Sequence, residues 1–175
     1  DYRNDQDVFI AIDVPEAVID ERMRYRVICP TCQMPRNTKL FTTPNVEYDK
    51  ETDTFYLMCE DHGIRMVGKE GDDAGIESIR ARVDKDQMLM DKMFSIHGVP
   101  RILLRNAVPV ELASKYTDEY ELTPMYDYKV GEDGKVMTKE TPWIVEDDEG
   151  VKVHSLMAPA VLLSFIKQLS SALEL

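Results

Sequence analysis

Apolar and polar residues alternate over several short segments of the chain, and a period of two is typical of β-strands. The segments DVFIAIDV (residues 7–14) and RYRVI (24–28) both show this pattern. Three further stretches consist of two alternating runs separated by a polar turn, which predicts an antiparallel hairpin in each case. These stretches cover residues 46–58, 125–140 and 143–155.

Apolar residues recur every three to four positions in two longer segments, and this spacing predicts amphipathic helices over residues 75–97 and 158–174. Gly98 and Pro100 follow the first segment and indicate its end. The stripe of the second helix is formed by Leu162, Phe165, Ile166, Leu169 and Leu173. The segment PEAVIDERM, at residues 15–23, predicts one or two further helical turns.

The order of these elements is mostly strands, a helix, strands and a helix, which predicts an α+β fold rather than a doubly wound sheet. The polar, glycine-containing stretch GKEGDD at residues 68–73 is typical of a linker. We therefore expect a β-rich module over residues 1–70. An α+β region with antiparallel hairpins and the two main helices follows over residues 71–175.

The amino-acid composition and charge exclude fewer functions than the hydrophobic pattern excludes folds. The chain has 175 residues, 43% of them hydrophobic, and a net charge of −12. It contains no run of eighteen apolar residues, so we expect no membrane span. A stand-alone DNA-binding domain is usually basic, and the net charge argues against one. The charge is uneven, because residues 21–40 hold five basic residues against one acidic, whereas residues 117–150 hold eleven acidic against three basic.

All three cysteines of the chain lie at metal-ligand spacing. Cys29 and Cys32 enclose two residues, 26 residues follow, and then Cys59 and His62 enclose two more. Each pair has the spacing of a tight loop around one ion, and the two pairs together supply four ligands. Three thiolates and one imidazole predict a single tetrahedral Zn²⁺ ion. Since four protein ligands leave no position for water, we expect this zinc to be structural.

Four alternatives compete with the zinc site. CPTC after a strand also fits a redox dithiol, but that motif needs a helix directly after it, and Pro35 and RNTK follow instead. The cysteines could also be plain buried thiols beside a surface histidine, and a disulfide framework is disfavoured by their odd number. A zinc deaminase needs His-x-Glu upstream of its cysteine pair, and that order does not occur here.

Residues 24–65, with a strand before each ligand pair, resemble a zinc ribbon, in which two ligand loops on β-strands hold one ion. Most members of that family use four cysteines, whereas His62 would take the fourth place here. The resemblance implies a structural zinc in a small β-rich module, and ribbons of this kind are common in transcription and replication machinery.

Three functions fit these observations. The first is a non-enzymatic zinc-binding subunit or adaptor of a larger assembly, which binds protein partners. The second is a nucleic-acid-associated factor, which binds nucleic acid through the basic residues beside the first ligand pair, with Tyr25 and Phe41 available to stack on bases. We expect Arg22, Arg24 and Arg26 to share one face of a strand in this patch, with Arg36 and Lys39 nearby.

The third function is an enzyme or enzyme fragment with an ancillary zinc, for which the candidate residues are His97, Arg101, Arg105 and His154. The chain has no glycine-rich phosphate loop and no nucleophile elbow, so the sequence favours a non-enzymatic role. Thiolate ligands imply a reducing compartment, and we therefore expect a cytoplasmic protein.

Overall fold

The computed structural model describes residues 7–118 and 121–173, which form a mixed α+β structure with four α-helices and several small sheets. The helices are α1 (Glu16–Arg24), α2 (Arg80–Ser95), α3 (Val110–Tyr116) and α4 (Ala158–Ala172). The strands before α2 are β1 (Phe9–Asp13), β2 (Arg26–Ile28), β3 (Pro35–Asn37), β4 (Val46–Asp49), β5 (Thr54–Leu57) and β6 (Val67–Gly68). Those after α2 are β7 (Arg101–Arg105), β8 (Ala107–Pro109), β9 (Pro124–Val130), β10 (Val136–Pro142), β11 (Ile144–Glu146) and β12 (Lys152–Ser155).

The chain forms two compact units that alternate along the sequence. We call residues 17–78 with 123–143 the cysteine unit, because it holds all three cysteines, and residues 1–16 with 79–122 and 144–175 the helical unit. The division at residue 70 that the sequence predicts stays a prediction, since compactness in space does not establish which segments fold independently. Within the described residues, none of the helices combines the length and the apolar character that a bilayer crossing requires.

The cysteine unit contains a three-stranded sheet, two hairpins and a small hydrophobic core cluster around the cysteines. Strand β2 lies between β3 and β6 in an antiparallel sheet, and the predicted hairpins β4–β5 and β9–β10 are both present. The core consists of Cys29, Leu57, Cys59 and Met66, against which Tyr128 of β9 packs. Two of the four core residues are thus cysteines, so the core and the ligand pairs occupy the same place.

The hairpin β9–β10 is joined to this core by the ring and the hydroxyl of Tyr128. The hydroxyl donates to Thr38 O and contacts Thr42 Oγ1, both at 2.8 Å, and the Tyr128 and Phe55 ring centroids lie 5.7 Å apart. A segment distant in sequence therefore completes the β-rich region that carries the cysteines.

The helical unit contains a strand pair that the alternation pattern does not reveal. Strands β1 and β7 pair in parallel, from Phe9 beside Arg101 to Asp13 beside Arg105, in addition to the antiparallel sheet β11–β12–β8. Strands β7 and β8 are separated at Asn106, whose backbone N–H donates to Asp13 O at 2.8 Å. Helix α3 follows β8 directly.

The two predicted long helices are present, with shorter α-helical spans. The first begins as a 3₁₀ helix over Gly75–Ile79 and continues as α2, and the second is α4. The end predicted at residue 174 lies outside the described residues. Leu162 and Ile166 of the predicted stripe are each more than half exposed, and no residue of α2 is fully buried.

Candidate metal centre

Each ligand pair lies on a tight loop, and the two loops have the same backbone hydrogen bonds. In the first loop, the Gln33 N–H donates to Cys29 O at 2.9 Å and the Cys29 N–H donates to Met34 O at 3.1 Å. The second loop repeats this pattern four and five residues after Cys59. There the Gly63 N–H donates to Cys59 O at 2.8 Å, and the Cys59 N–H donates to Ile64 O at 2.9 Å. Residues 29–34 and 59–64 are therefore equivalent loops.

Both loops turn back through the left-handed region of backbone conformation. Gln33 has φ = 60° and Gly63 has φ = 59°. Glycine adopts this conformation without a steric penalty, whereas glutamine does so at a cost, because its Cβ approaches the backbone. The glycine after CEDH is thus a visible signal for the second loop, but nothing in the residue type of Gln33 announces the first.

The four predicted ligands converge on one point. The Sγ atoms of Cys32 and Cys59 are 3.8 Å apart, and His62 Nδ1 lies 3.9 Å from Cys29 Sγ and 3.6 Å from Cys59 Sγ. One donor atom from each residue can be chosen so that all four lie within 4.8 Å of one another. The structure thus brings together Cys29, Cys32, Cys59 and His62 as a candidate metal centre.

The distances fit one tetrahedral ion. Zinc binds thiolate sulfur at about 2.3 Å and imidazole nitrogen at about 2.0–2.1 Å, so that tetrahedral geometry separates two sulfurs by about 3.8 Å and a sulfur from a nitrogen by about 3.6 Å. A disulfide would instead require about 2.05 Å between sulfurs, and the three cysteines are free thiols. The residues present therefore fit a metal ion and exclude a disulfide between Cys32 and Cys59 in this conformation.

The first loop also acts on the charge of its thiols. The backbone N–H of Cys32, with a further contribution from that of Thr31, lowers the pKa of Cys29 to about 7, although desolvation opposes this effect. The Met34 N–H acts to lower the pKa of Cys32, but desolvation and the Cys29 and Cys59 thiols outweigh it and raise that pKa. Cys29 is accordingly the readier of these two residues to become a thiolate, the form that binds metal.

The ligands differ sharply in their exposure to solvent. Cys29 and Cys59 are 0% and 2% exposed, whereas Cys32 and His62 both lie at the surface. Burial of one ligand from each loop explains why the two thiols also belong to the hydrophobic core.

Carboxylates lie within ion-pair distance of Arg24, Arg26, Arg36 and Lys39 in the predicted basic patch. The ion pairs are Arg24–Asp20 (2.6 Å), Arg26–Asp72 (2.5 Å), Arg36–Glu60 (2.8 Å) and Lys39–Glu21 (3.2 Å). The fifth residue, Arg22, is partly desolvated, and its pKa is lowered for that reason. The shared strand face predicted for Arg22, Arg24 and Arg26 is wrong, because helix α1 extends to Arg24 and only Arg26 lies on a strand.

Two of these basic residues also cover aromatic rings. The Lys39 ammonium lies 3.7 Å from the ring centroid of Tyr25, and the Arg36 guanidinium lies 4.6 Å from that of Phe41. Tyr25 and Phe41 are the rings that the sequence proposed for base stacking, and Phe41 is largely exposed. In the folded chain, Lys39 and Arg36 of the predicted patch therefore contact the two rings that were expected to stack on bases.

The residues considered for catalysis all lie in the helical unit. Arg105 forms ion pairs with Asp13 at 2.8 Å and Asp147 at 2.7 Å, and Arg101 donates to Phe94 O. His154 is buried in β12, whereas His97 is exposed after α2. Arg105 and Arg101 therefore have structural contacts that account for them without a substrate.

The chain matches no model of a known protein family. No curated protein and no solved structure matches it either.

Proposed function

We propose that this chain is a non-enzymatic, zinc-binding subunit or adaptor of a larger assembly, and that its single zinc ion is structural. The observation that carries the proposal is the convergence of three sulfurs and one nitrogen from two equivalent loops, with all four donor atoms within 4.8 Å of one another. We take the β-rich region around these loops as a zinc ribbon in which His62 replaces a fourth cysteine.

The donor set supports zinc over other metals. Thiolates with an imidazole suit zinc, whereas magnesium and calcium prefer oxygen ligands. Four protein ligands fill a tetrahedral site, while a catalytic zinc keeps one position open for water or substrate. The small core cluster around the loops, in which two of the four buried residues are cysteines, also suits a region that depends on metal binding for its stability.

Protein partners are supported by the apolar surface and by the charge pairing. Large apolar side chains are exposed in both units, among them Phe41 and Met34 beside the first loop. The basic residues there are largely neutralised by Asp20, Glu21, Glu60 and Asp72. A surface of this kind favours association with a protein over the neutralisation of phosphates.

Binding of nucleic acid is a second candidate, favoured by one observation. The pairs Lys39–Tyr25 and Arg36–Phe41 combine a cation with an aromatic ring, as surfaces that stack on bases do. Binding of single-stranded RNA or DNA that weakens steeply with added salt would support this candidate. For either function, thiolate ligands are consistent with a reducing compartment, and we propose the cytoplasm.

The metal is tested by counting it in the purified protein. Protein prepared under reducing conditions is expected to carry one zinc ion by native mass spectrometry and by elemental analysis. Cys59→Ser should lose the ion and unfold the cysteine unit, and His62→Asn should bind zinc more weakly. His97→Asn is the matched control, because His97 is an exposed histidine outside the centre, and it should retain one zinc. A folded wild-type protein without zinc would overturn the proposal.

The role of the chain is tested with the same zinc-loaded protein. Partners cross-linked in the native host and recovered with purified, zinc-loaded chain should be proteins that bind it directly and stoichiometrically. A turnover activity that survives purification and is lost in Arg105→Ala or His154→Ala would contradict a non-enzymatic role. Salt-sensitive binding to nucleic acid without any protein partner would favour the second candidate.

A further inference from the structure

Strand β1 has an open edge, because within the described residues it pairs only with β7. The Phe9 N–H donates to Pro100 O at 2.9 Å, so the backbone groups of Phe9 point towards β7. Alternate residues of a strand direct their N–H and C=O groups to the same neighbour. Ala11 therefore also faces β7, whereas Ile10 and Ile12 direct their backbone groups to the other side. No described residue forms a hydrogen bond with these outward groups.

The opposite edge of the strand pair is partly occupied. Leu103 of β7 faces away from β1, and its carbonyl accepts a hydrogen bond from Gln168 Nε2 of α4 at 3.1 Å. Charged side chains on an edge strand discourage the addition of another strand, and β4, for example, carries Glu47 and Asp49. The segment 9–12 of β1 carries no charged side chain. Its edge is therefore both unpaired and unprotected.

The side chains at this edge extend an apolar face that is covered on β7. Ile10 and Ile12 lie in register with Ile102 and Leu104, and residues in register project to the same face of a sheet. Ile102 and Leu104 are 1% and 4% exposed, whereas Ile10 and Ile12 are 46% and 60% exposed. A further strand with alternate aliphatic side chains would cover the two isoleucines.

Carboxylates at both ends of β1 indicate the charge of the segment that fits. Asp7 is exposed before the strand, and Asp13 and Asp147 share Arg105 after it. Asp148 lies at the same end, where it accepts the first backbone N–H of α1 at 3.0 Å. Basic residues on an incoming segment complement this surface, whereas a second copy of a chain with a net charge of −12 is repelled. A strand of five residues also offers far less area than the roughly 1,600 Å² of a standard stable interface.

We propose that the open edge of β1 binds an extended segment of a protein partner, which adds a strand to the β1–β7 pair. The backbone of the segment forms hydrogen bonds with the N–H and C=O groups of Ile10 and Ile12. Its alternate aliphatic side chains pack beside these two isoleucines, and lysine or arginine residues flank them. This inference rests on the proposed role in binding proteins but not on the zinc ion, because β1 belongs to the helical unit.

The test uses the full, zinc-loaded chain and a phage-displayed library of linear dodecapeptides. Peptides enriched on the wild type are synthesised, and their affinities are measured for wild type, Ile12→Lys and Ile144→Lys. Ile144 is the matched control, because it is an exposed isoleucine on another edge strand of the same unit. Each peptide is also prepared in two forms, methylated on one or the other alternate set of backbone nitrogens. Amide hydrogen exchange of the chain is followed by NMR with and without peptide, and slow exchange at Ala11 confirms that β1 still pairs with β7 in Ile12→Lys.

In the free chain, we expect the Ile10 and Ile12 amides to exchange faster than those of Ala11 and Asp13, and to become protected when a peptide binds. Enriched peptides should contain alternate aliphatic residues flanked by lysine or arginine. They should bind Ile12→Lys about tenfold or more weakly, because the substitution removes an apolar contact and repels basic residues, with little change for Ile144→Lys. One methylated form should lose binding and the other retain it, since only alternate N–H groups of an added strand face β1.

Failure to enrich peptides, equal affinity for Ile12→Lys, or a loss of affinity in Ile144→Lys instead would overturn the inference. Ile10 and Ile12 amides that are already protected in the free chain would also overturn it. Protection lost on dilution would identify a second copy at the edge, and protection independent of concentration would mean that the chain covers its own edge. Zinc content is measured in the same samples, so that absence of the metal counts against the proposed function and a failed peptide test with zinc retained counts against the edge alone.

Discussion

Gln33 and Gly63 occupy equivalent positions, each four residues after the first ligand of its loop and each with φ near 60°. The same hydrogen bonds close both loops, so the two residues perform the same turn with different side chains. Because glycine is the residue suited to this backbone conformation, the first loop carries a strain that the second lacks.

Gly63→Ala should therefore destabilise the zinc-loaded protein by about 1 kcal/mol. A Cβ at this position meets no atom within 4 Å, so the loss would come from the backbone conformation rather than from a clash. Gln33→Gly should leave the free energy of unfolding unchanged or raise it by up to about 1 kcal/mol, since the relieved strain is offset by the chain entropy of glycine. Denaturant unfolding with zinc present measures both changes.

Gly68→Ala is the control for this comparison. Gly68 also has open space around its Cα but lies outside the left-handed region, so the substitution should have a much smaller effect than Gly63→Ala. Equal losses at Gly63 and Gly68 would refute the strain argument.

Tyr128→Phe should destabilise the cysteine unit by about 1–2 kcal/mol, because it removes the hydroxyl that bonds Thr38 O and Thr42 Oγ1 and leaves the half-buried Thr38 carbonyl without that donor. The ring contact with Phe55 is kept, so the hairpin should still pack. Urea midpoints of the zinc-loaded protein measure the loss. Tyr116→Phe, at an exposed tyrosine, should leave the midpoint unchanged, and a similar loss there would mean that the effect is not specific to Tyr128.

Asp72→Asn should cost about 2 kcal/mol at neutral pH, because Asp72 is a buried carboxylate that receives two hydrogen bonds from Arg26. These hydrogen bonds lower the pKa of Asp72, with desolvation opposing them. The stabilisation is accordingly present above the pKa of an unfolded aspartate, about 3.9, and is lost as the pH falls through the lower folded-state pKa.

The difference in unfolding free energy between wild type and Asp72→Asn should thus be constant from about pH 5 to 8 and shrink below about pH 4. Asp86→Asn is the control, because the Arg82–Asp86 pair is solvent-exposed, and it should change stability by less than about 0.5 kcal/mol. A difference that grew on acidification would contradict the assigned pKa direction.

Zinc binding should release more protons per ion below pH 7 than above it. The pKa of Cys29 is lowered to about 7, so in the zinc-free loop this thiol is mainly ionised above that pH and protonated below it. Binding requires the thiolate, and the release should rise by about one proton as Cys29 becomes protonated in the free protein. Chelator competition from pH 6 to 8 measures the slope, and a constant slope would contradict the lowered pKa.

Local spacing carried most of what the sequence predicted correctly. The Cys29–Cys32 and Cys59–His62 pairs each close a loop of a few residues, so their geometry depends little on the rest of the fold. The hairpins β4–β5 and β9–β10 were likewise predicted from turns between alternating runs. The sequence also predicted that the two ligand pairs converge, because together they supply the four ligands of one tetrahedral ion.

The hydrophobic pattern could not predict contacts between residues that are far apart in the chain. Alternation predicts a strand at β1, but it cannot show that Asp13 lies beside Arg105 of β7 in a parallel pair. Tyr128 packs against the core that holds the cysteines, and its hydroxyl bonds Thr38 O, 90 residues earlier in the chain. The hydrophobic pattern predicts neither contact. The sequence shows that basic residues cluster between residues 21 and 40. It does not show that Arg26 pairs with Asp72 or Arg36 with Glu60, because these partners come close only in the folded chain.

The unequal burial of the four ligands bears on how fast the metal exchanges. Cys32 and His62 face solvent, while Cys29 and Cys59 lie inside the core, so an incoming chelator can displace the outer two donors one at a time while the inner two still hold the ion. Zinc removal should then accelerate in proportion to chelator concentration, with no plateau at the rate of global unfolding.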